Sequence, residues 1–436
     1  MPIINIKQFN INSLRKQFSF NKPSHQKFSF EIFFTVLIIL GIPLNLYKNR
    51  FYDNSWTVGE WLISYAGGFV RRGLPGQIIH YISNLYLISP ILIAWLFSVT
   101  ALISLAFLLL HCCKDSFQKS FLLSQLIILA PISEDYLIRK DSLLVLLYGL
   151  SLLALKKFNQ EKLSRIFCIL SVNLFSIVGI LSHEAYGIWG LPSLIIIFYL
   201  LNRSIKKGFY KSILLSTFYV IPSLISFALC WIFKGNIQQA LLIHESWQNL
   251  KDILPTLGSL NASQPEGAIA AIGWGTSHIY INSIFSQFNL LIFWHPGMWL
   301  LTIYIVLRLF IGKKQDPLQS AKRTIVCLQL IAFLPLFLFV DVGRWIFMWL
   351  SSSALLFAFL KQVFGIEKVL FHVERFKGSK ILKKTIPAFA SYRTYNIFLL
   401  SIGLPHCCWS IGRYIISNPI GFGIKNAIFY FKFLFN

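Results

Sequence analysis

Two arginines stand side by side in a glycine-rich run, Gly67-Gly68-Phe69-Val70-Arg71-Arg72-Gly73-Leu74-Pro75-Gly76. A guanidinium is a planar fork that meets phosphate or carboxylate oxygens two at a time, and an adjacent pair suits a dianion. Glycine and proline at this density place the pair on tight turns. Upstream lie Asp53 and Glu60, carboxylates that can take a proton from a hydroxyl or pair with the arginines. A second charged run reads Ser133-Glu134-Asp135-Tyr136-Leu137-Ile138-Arg139-Lys140-Asp141. Charges this close to apolar sequence are costly unless paired or wetted. Glu134 and Asp135 can grip sugar hydroxyls or a divalent cation, while Asp141 stands where it would cap the following helix. His183-Glu184 joins two apolar runs; such a pair can shuttle a proton or bind an acceptor. In Asp341-Val342-Gly343-Arg344-Trp345, Asp341 and Arg344 are either a local ion pair or substrate contacts. His244-Glu245 repeats the dipeptide in a longer polar stretch, where a solvated surface is the default.

The elements that hold these residues are written in the rest of the chain. Of 436 residues, 56% are hydrophobic and 13% charged, with a mean hydropathy of +0.65, about half the charge of a soluble protein. Apolar runs near 30–47, 90–110, 120–133, 142–155, 166–182, 187–201, 212–233, 288–308, 324–340, 345–360 and 396–412 are suited to crossing a hydrocarbon core as helices. They lack the alternating polarity of a barrel strand. The fold class is therefore all-α, a polytopic transmembrane helical bundle of about 10–12 spans. Residues 77–88 read as an amphipathic helix along the membrane.

Net charge is +24, but the basic residues alternate with the apolar runs. Lys7, Arg15, Lys16, Lys22 and Lys27 precede the first span without an acid, and Lys156, Lys157, Lys162, Arg165, Arg203, Lys206, Lys207 and Lys211 fall in alternate loops. The positive-inside rule puts the N-terminus and these loops in the cytoplasm, so the candidate residues lie on the extracytoplasmic side of a plasma or inner membrane. The positive charge then serves topology and contact with membrane lipids, not nucleic acid. One membrane domain, 30–412, with outer loops at 48–89 and 234–287, is expected between a basic cytoplasmic segment, 1–29, and an interfacial tail, 413–436. The seven cysteines form no CxxC and no metal-type spacing, so no disulfide framework is expected.

The acid early in the first outer loop (Asp53), the amphipathic segment in that loop and the acidic second outer loop together resemble the GT-C superfamily of polytopic glycosyltransferases. The run Arg139-Lys140-Asp141-Ser142-Leu143-Leu144 is similar to a basic–acidic step before a leucine-rich helix in several of them. The chain departs from that pattern by lacking an Asp-Asp or Asp-Glu dyad in the first loop. The resemblance implies a lipid-linked sugar donor and a glycan or lipid acceptor. By it, Asp53 is the general base, with Glu60 the second catalytic candidate, and Arg71 and Arg72 bind a polyprenyl phosphate. Glu134 and Asp135 orient the sugar or a divalent cation, and Arg139, Lys140, His183, Glu184, Asp341 and Arg344 complete the substrate-binding set. Wzy-like polysaccharide polymerases are similar in span count and outer arginines, and a transporter or flippase of lipid-linked glycans is the reading from a different class. Transporters usually place ionisable groups near the midplane, whereas these gather at one surface.

Overall fold

Leucine, isoleucine and phenylalanine fill the long apolar runs, and in lipid a helix is the open-ended form that satisfies its own backbone. The computed structural model of the chain describes residues 25–51, 55–133, 136–202, 208–248, 250, 262–274, 294–314, 316, 318–338, 341–365, 378–404 and 417–435. They are mainly helical, with no strand among the described residues beyond one isolated bridge between Lys313 and Phe389. The all-α polytopic bundle expected from composition is the fold. In chain order come α1 (His25–Phe51), α2 (Val58–Trp61), α3 (Gly73–Tyr86), α4 (Pro90–Cys113), α5 (Lys119–Leu123) and α6 (Ala130–Ser133). Then follow α7 (Asp141–Asn159), α8 (Arg165–Ser182), α9 (Ala185–Asn202), α10 (Phe209–Tyr219), α11 (Ile221–Ile232), α12 (Ile237–Gln248) and α13 (Gly267–Ala270). The last are α14 (Trp294–Ile311), α15 (Gln319–Phe333), α16 (Val342–Phe364), α17 (Gly378–Thr385), α18 (Tyr392–Ser401) and α19 (Pro419–Phe435).

Five helical segments among the described residues are long and apolar enough to cross a membrane: Phe30–Tyr47 of α1, then α4, α8, α9 and α16. The pair α10 and α11, bent by 64°, meets the same test when taken together, as a broken span or a re-entrant loop. Pro222 causes the bend, since it has no N–H for the preceding turn and its ring displaces that turn. Asn173 of α8 repairs the break. Its Nδ2 donates to the Tyr219 carbonyl at 2.7 Å, and its Oδ1 accepts from the Ser223 hydroxyl at 2.8 Å. The stretch 120–133, expected as one span, is instead the short helices α5 and α6, buried and joined by turns. There the Ser124 hydroxyl donates to the Phe121 carbonyl at 2.8 Å and accepts the Leu126 N–H at 3.3 Å, a local alternative to the helical ladder. Of the expected span 396–412, residues 405–412 lie outside the described residues.

Polarity is inverted relative to a soluble protein. Along α8, Ile166, Leu170 and Leu174 point outward, each more than half exposed, while Asn173, Ser176, Gly179 and Ser182 face inward. Small and polar residues permit close helix contact in lipid, where apolar burial drives nothing. On α7, Gly149 sits so near α4 that a Cβ would lie 2.4 Å from a Leu108 methyl. The amphipathic helix expected at 77–88 is α3; Gly76, Ile79 and Ser83 are buried, and Ile78, Tyr81 and Leu85 are exposed. Helix α19 packs along α1, with the Tyr430 hydroxyl donating to the Leu40 carbonyl at 2.8 Å.

The centre of the bundle is α7, packed against α4, α8 and α16. The 23 residues of α16 reach roughly 35 Å at 1.5 Å per residue, so its ends lie at opposite faces. Arg344 is at its start and Lys361 near its end; α7 likewise begins at Asp141 and ends beyond Lys156 and Lys157. One end of the bundle therefore collects the sites singled out by sequence, and the other collects lysines.

Candidate functional site

Helices α7 and α16 begin where α8 ends and α9 starts, and the segment 58–73 lies against those ends through contacts of α3 with α8 and of α2 with α4. Arg344, 2% exposed, is the hub. Its Nε and Nη2 donate to the two Asp141 oxygens at 2.6 and 2.7 Å, and Nη1 donates to Asp341 Oδ2 at 2.7 Å. Arg139 adds a longer contact to Asp341, at 3.4 Å. Such planar two-point pairing is the geometry in which arginine binds anions best.

Glu60, also 2% exposed, stands beside this hub without joining it. Its Oε2 is 3.7 Å from Arg344 Nη2 and its Oε1 is 3.5 Å from His183 Nε2. Neither oxygen has a hydrogen-bond partner among the described residues. Burial raises the pKa of this carboxyl, but Arg344, Arg139, His183 and Lys140 outweigh it and hold the group at about 2. An ionised, buried carboxylate with no donor is an expensive arrangement. His183 Nδ1 accepts the Ala185 N–H at 3.2 Å, which assigns the ring proton to Nε2, the nitrogen nearest Glu60. Burial, with Arg72 adding to it, pushes His183 down to about 3, so the imidazole is neutral at physiological pH.

Arg71 and Arg72 close on Glu184. Arg72 Nε and Nη2 donate to Oε2 and Oε1 at 2.7 and 2.6 Å, and Arg71 Nη1 donates to Oε1 at 3.1 Å. Burial raises the Glu184 pKa, but Arg72 and Arg71 hold it well below the usual carboxylate range. The turn that presents the arginines is set by its backbone. Arg72 has a φ of +67°, a left-handed conformation uncommon for a residue with a Cβ. At Gly76 a Cβ would sit 1.9 Å from the Ile63 carbonyl oxygen, so only glycine lets α3 start this close to the 61–63 backbone. Lys140 Nζ ties the turn to the bundle, donating to the Arg72 carbonyl at 3.1 Å and the Ser182 carbonyl at 3.2 Å. Burial pushes its pKa down to about 7, with Glu60 pulling the other way.

Segment 234–287 supports the same turn where it is described. Gln239 Nε2 donates to the Gly67 carbonyl at 3.3 Å, and Trp247 Nε1 donates to the Leu62 carbonyl at 2.8 Å. His244, expected on a solvated surface, is buried instead, with Nε2 2.9 Å from the Ala262 carbonyl. It lies on the buried face of α12 with Ala240, Ile243 and Trp247, so helical periodicity overrides the polar composition of the stretch.

The structure thus gathers Glu60, Arg71, Arg72, Arg139, Lys140, His183, Glu184, Asp341 and Arg344 at one end of the bundle. Asp53, Glu134 and Asp135 lie outside the described residues. Asp141, read from sequence as a helix cap, is a partner of Arg344; the signal that points to it is the expense of a buried arginine, which requires a carboxylate from elsewhere. Trp61 was also missed: its ring lies 5.8 Å below Lys140 Nζ and its N–H is given to the Ile138 carbonyl. Among the described residues, no group of three His, Cys, Asp or Glu side chains is placed to hold a metal ion.

Apolar surface outside, polar contacts inside and a buried ionic cluster at one end define a polytopic α-helical integral membrane protein. The family described as Uncharacterised membrane protein Rv1490 matches residues 30–247, half of the chain and the half that carries most of the cluster. The chain belongs to that family. Comparison with curated proteins and with solved structures gives no match.

Proposed function

We propose that this protein is a membrane glycosyltransferase that moves a sugar from a polyprenyl-phosphate donor to a hydroxyl acceptor on the extracytoplasmic side. The observation that carries the reading is Glu60, a buried carboxylate whose oxygens lack donors among the described residues, set beside arginines that bind anions. A hydroxyl supplies what Glu60 lacks, and a phosphate is the anion that a paired arginine fork fits.

In this reading the acceptor hydroxyl gives its proton to Glu60, or to Asp53, as its oxygen attacks the sugar's anomeric carbon. The bond from that carbon to the phosphate oxygen breaks, and Arg71 and Arg72 stabilise the charge left on the polyprenyl phosphate. A carboxyl held at about 2 is a weak base in the resting site. A bound phosphate offsets the positive charge that holds it there and raises its pKa toward a working value. Arg344 and Asp141 position Glu60, and Arg139, Lys140, His183, Asp341, Glu134 and Asp135 complete the contacts to sugar, phosphate or a divalent cation. The same fork suits a diphosphate-linked glycan, the donor of a polysaccharide polymerase or ligase, and the acceptor labelled in the assay separates the two.

Changing Arg71 and Arg72 together to lysine is expected to lower transfer by about 100-fold while the protein still inserts, because lysine keeps the charge but not the two-point fork. Wild-type transfer by the double variant, measured on purified protein in nanodiscs, excludes the fork. Orientation has its own test. A lone cysteine at Ser263 is expected to react with an impermeant maleimide on intact cells and one at Gln160 is not; the reverse pattern turns the site toward the cytoplasm.

A further inference from the structure

Glu184 is the charged group of the cluster to which the proposed reaction gives no task. Its carboxylate sits in the arginine fork as a phosphate would, with one guanidinium across both oxygens and a second on one of them. Two features say the fork is not completed by Glu184. Arg71 Nε is buried with no partner among the described residues, and Arg72 is held in a left-handed backbone conformation. A spare donor and a costly conformation at one turn are the marks of a site shaped for a further ligand.

We propose that Glu184 is a displaceable internal anion: a lipid phosphate entering the Arg71–Arg72 fork drives the carboxylate out, and the carboxylate takes up a proton as it leaves. This rests on the phosphate-donor reading above. The groups facing Glu184 are Arg71 and Arg72 from the turn, its neighbour His183, Lys140 from the start of α7 and the Cys230 thiol of α11. Arg72 and Arg71 are the largest influences holding it ionised against burial, with His183 a smaller one. His183 is neutral, and Lys140 Nζ is committed to the Arg72 and Ser182 carbonyls. Once both guanidinium groups turn to phosphate, the buried carboxylate loses its two strongest countercharges, and burial then drives its pKa upward so that it takes up a proton. The proton comes from solution and no covalent bond changes. One negative charge replaces another at the fork, so the empty site never leaves two arginines unpaired and the loaded site never stacks a carboxylate against a phosphate.

Calorimetric titration of the full chain in nanodiscs with farnesyl phosphate, at pH 7.5 in two buffers of different ionisation enthalpy, reads the proton directly. Wild type is expected to take up about one proton more than Glu184→Gln on binding, and the glutamine variant to bind at least about tenfold tighter because no charged competitor must leave. Equal proton counts and equal affinities overturn the displacement and leave the phosphate reading standing. Absence of binding by both folded proteins overturns the phosphate reading and the displacement with it. If the variant does not fold, wild type decides alone, and binding without proton uptake overturns the proposal.

Discussion

Changing Arg344 to methionine is expected to destabilise the protein by about 3–5 kcal/mol, the range for removing one partner of a buried ionic cluster. Arg344 donates to both oxygens of Asp141 and to Asp341 and lies near Glu60. Methionine fills similar volume, so packing is preserved and the loss reports charge. Three carboxylates are then left with Arg139, whose nearest contact in the group is 3.4 Å from Asp341. Adding Asp141→Leu to Arg344→Met is expected to recover part of the loss, because it removes a carboxylate that has lost its partner. Unfolding midpoints of wild type, the single and the double variant in one detergent measure this. A single variant as stable as wild type contradicts the hub.

Glu60→Gln is expected to separate stability from activity. The carboxylate makes no hydrogen bond among the described residues, but the surrounding cations outweigh its burial and hold it ionised, so a neutral isostere gives up a net attraction. Stability is expected to fall, by less than for Arg344→Met because no hydrogen bond is lost. Transfer is expected to fall by about 10³-fold, since glutamine cannot take a proton, while donor binding stays within about tenfold because Arg71 and Arg72 remain. A destabilised variant with proportionate loss of activity makes Glu60 structural. A stable variant with full transfer shifts the base to Asp53.

Much of this site was legible because charge is rare in the chain. Against apolar runs, Arg71-Arg72, Arg139-Lys140, His183-Glu184 and Asp341–Arg344 stand out, and the alternation of basic loops puts all of them on one face. The pairing was not legible, because it is set by helix register and turn geometry. Arg344 chooses Asp141 from a helix about 200 residues earlier because α7 and α16 begin at the same end and pack together, which no local spacing encodes. The local pairing of Asp341 with Arg344 is present as well. Hydropathy marked the long helices but failed at 120–133, where Ser124 and a turn break an apolar run, and at His244, where one buried helical face hides in polar sequence.

Radiolabelled polyprenyl-phosphate sugars supplied to wild-type protein in nanodiscs, with membrane glycolipid or glycan acceptors, distinguish sugar transfer from transport. Label is expected in a new glycosidic bond on the acceptor, and Glu60→Gln is expected to bind the donor without forming that bond. Label that crosses sealed proteoliposomes with no new bond in wild type contradicts the transferase reading and makes the charged cluster part of a transport path.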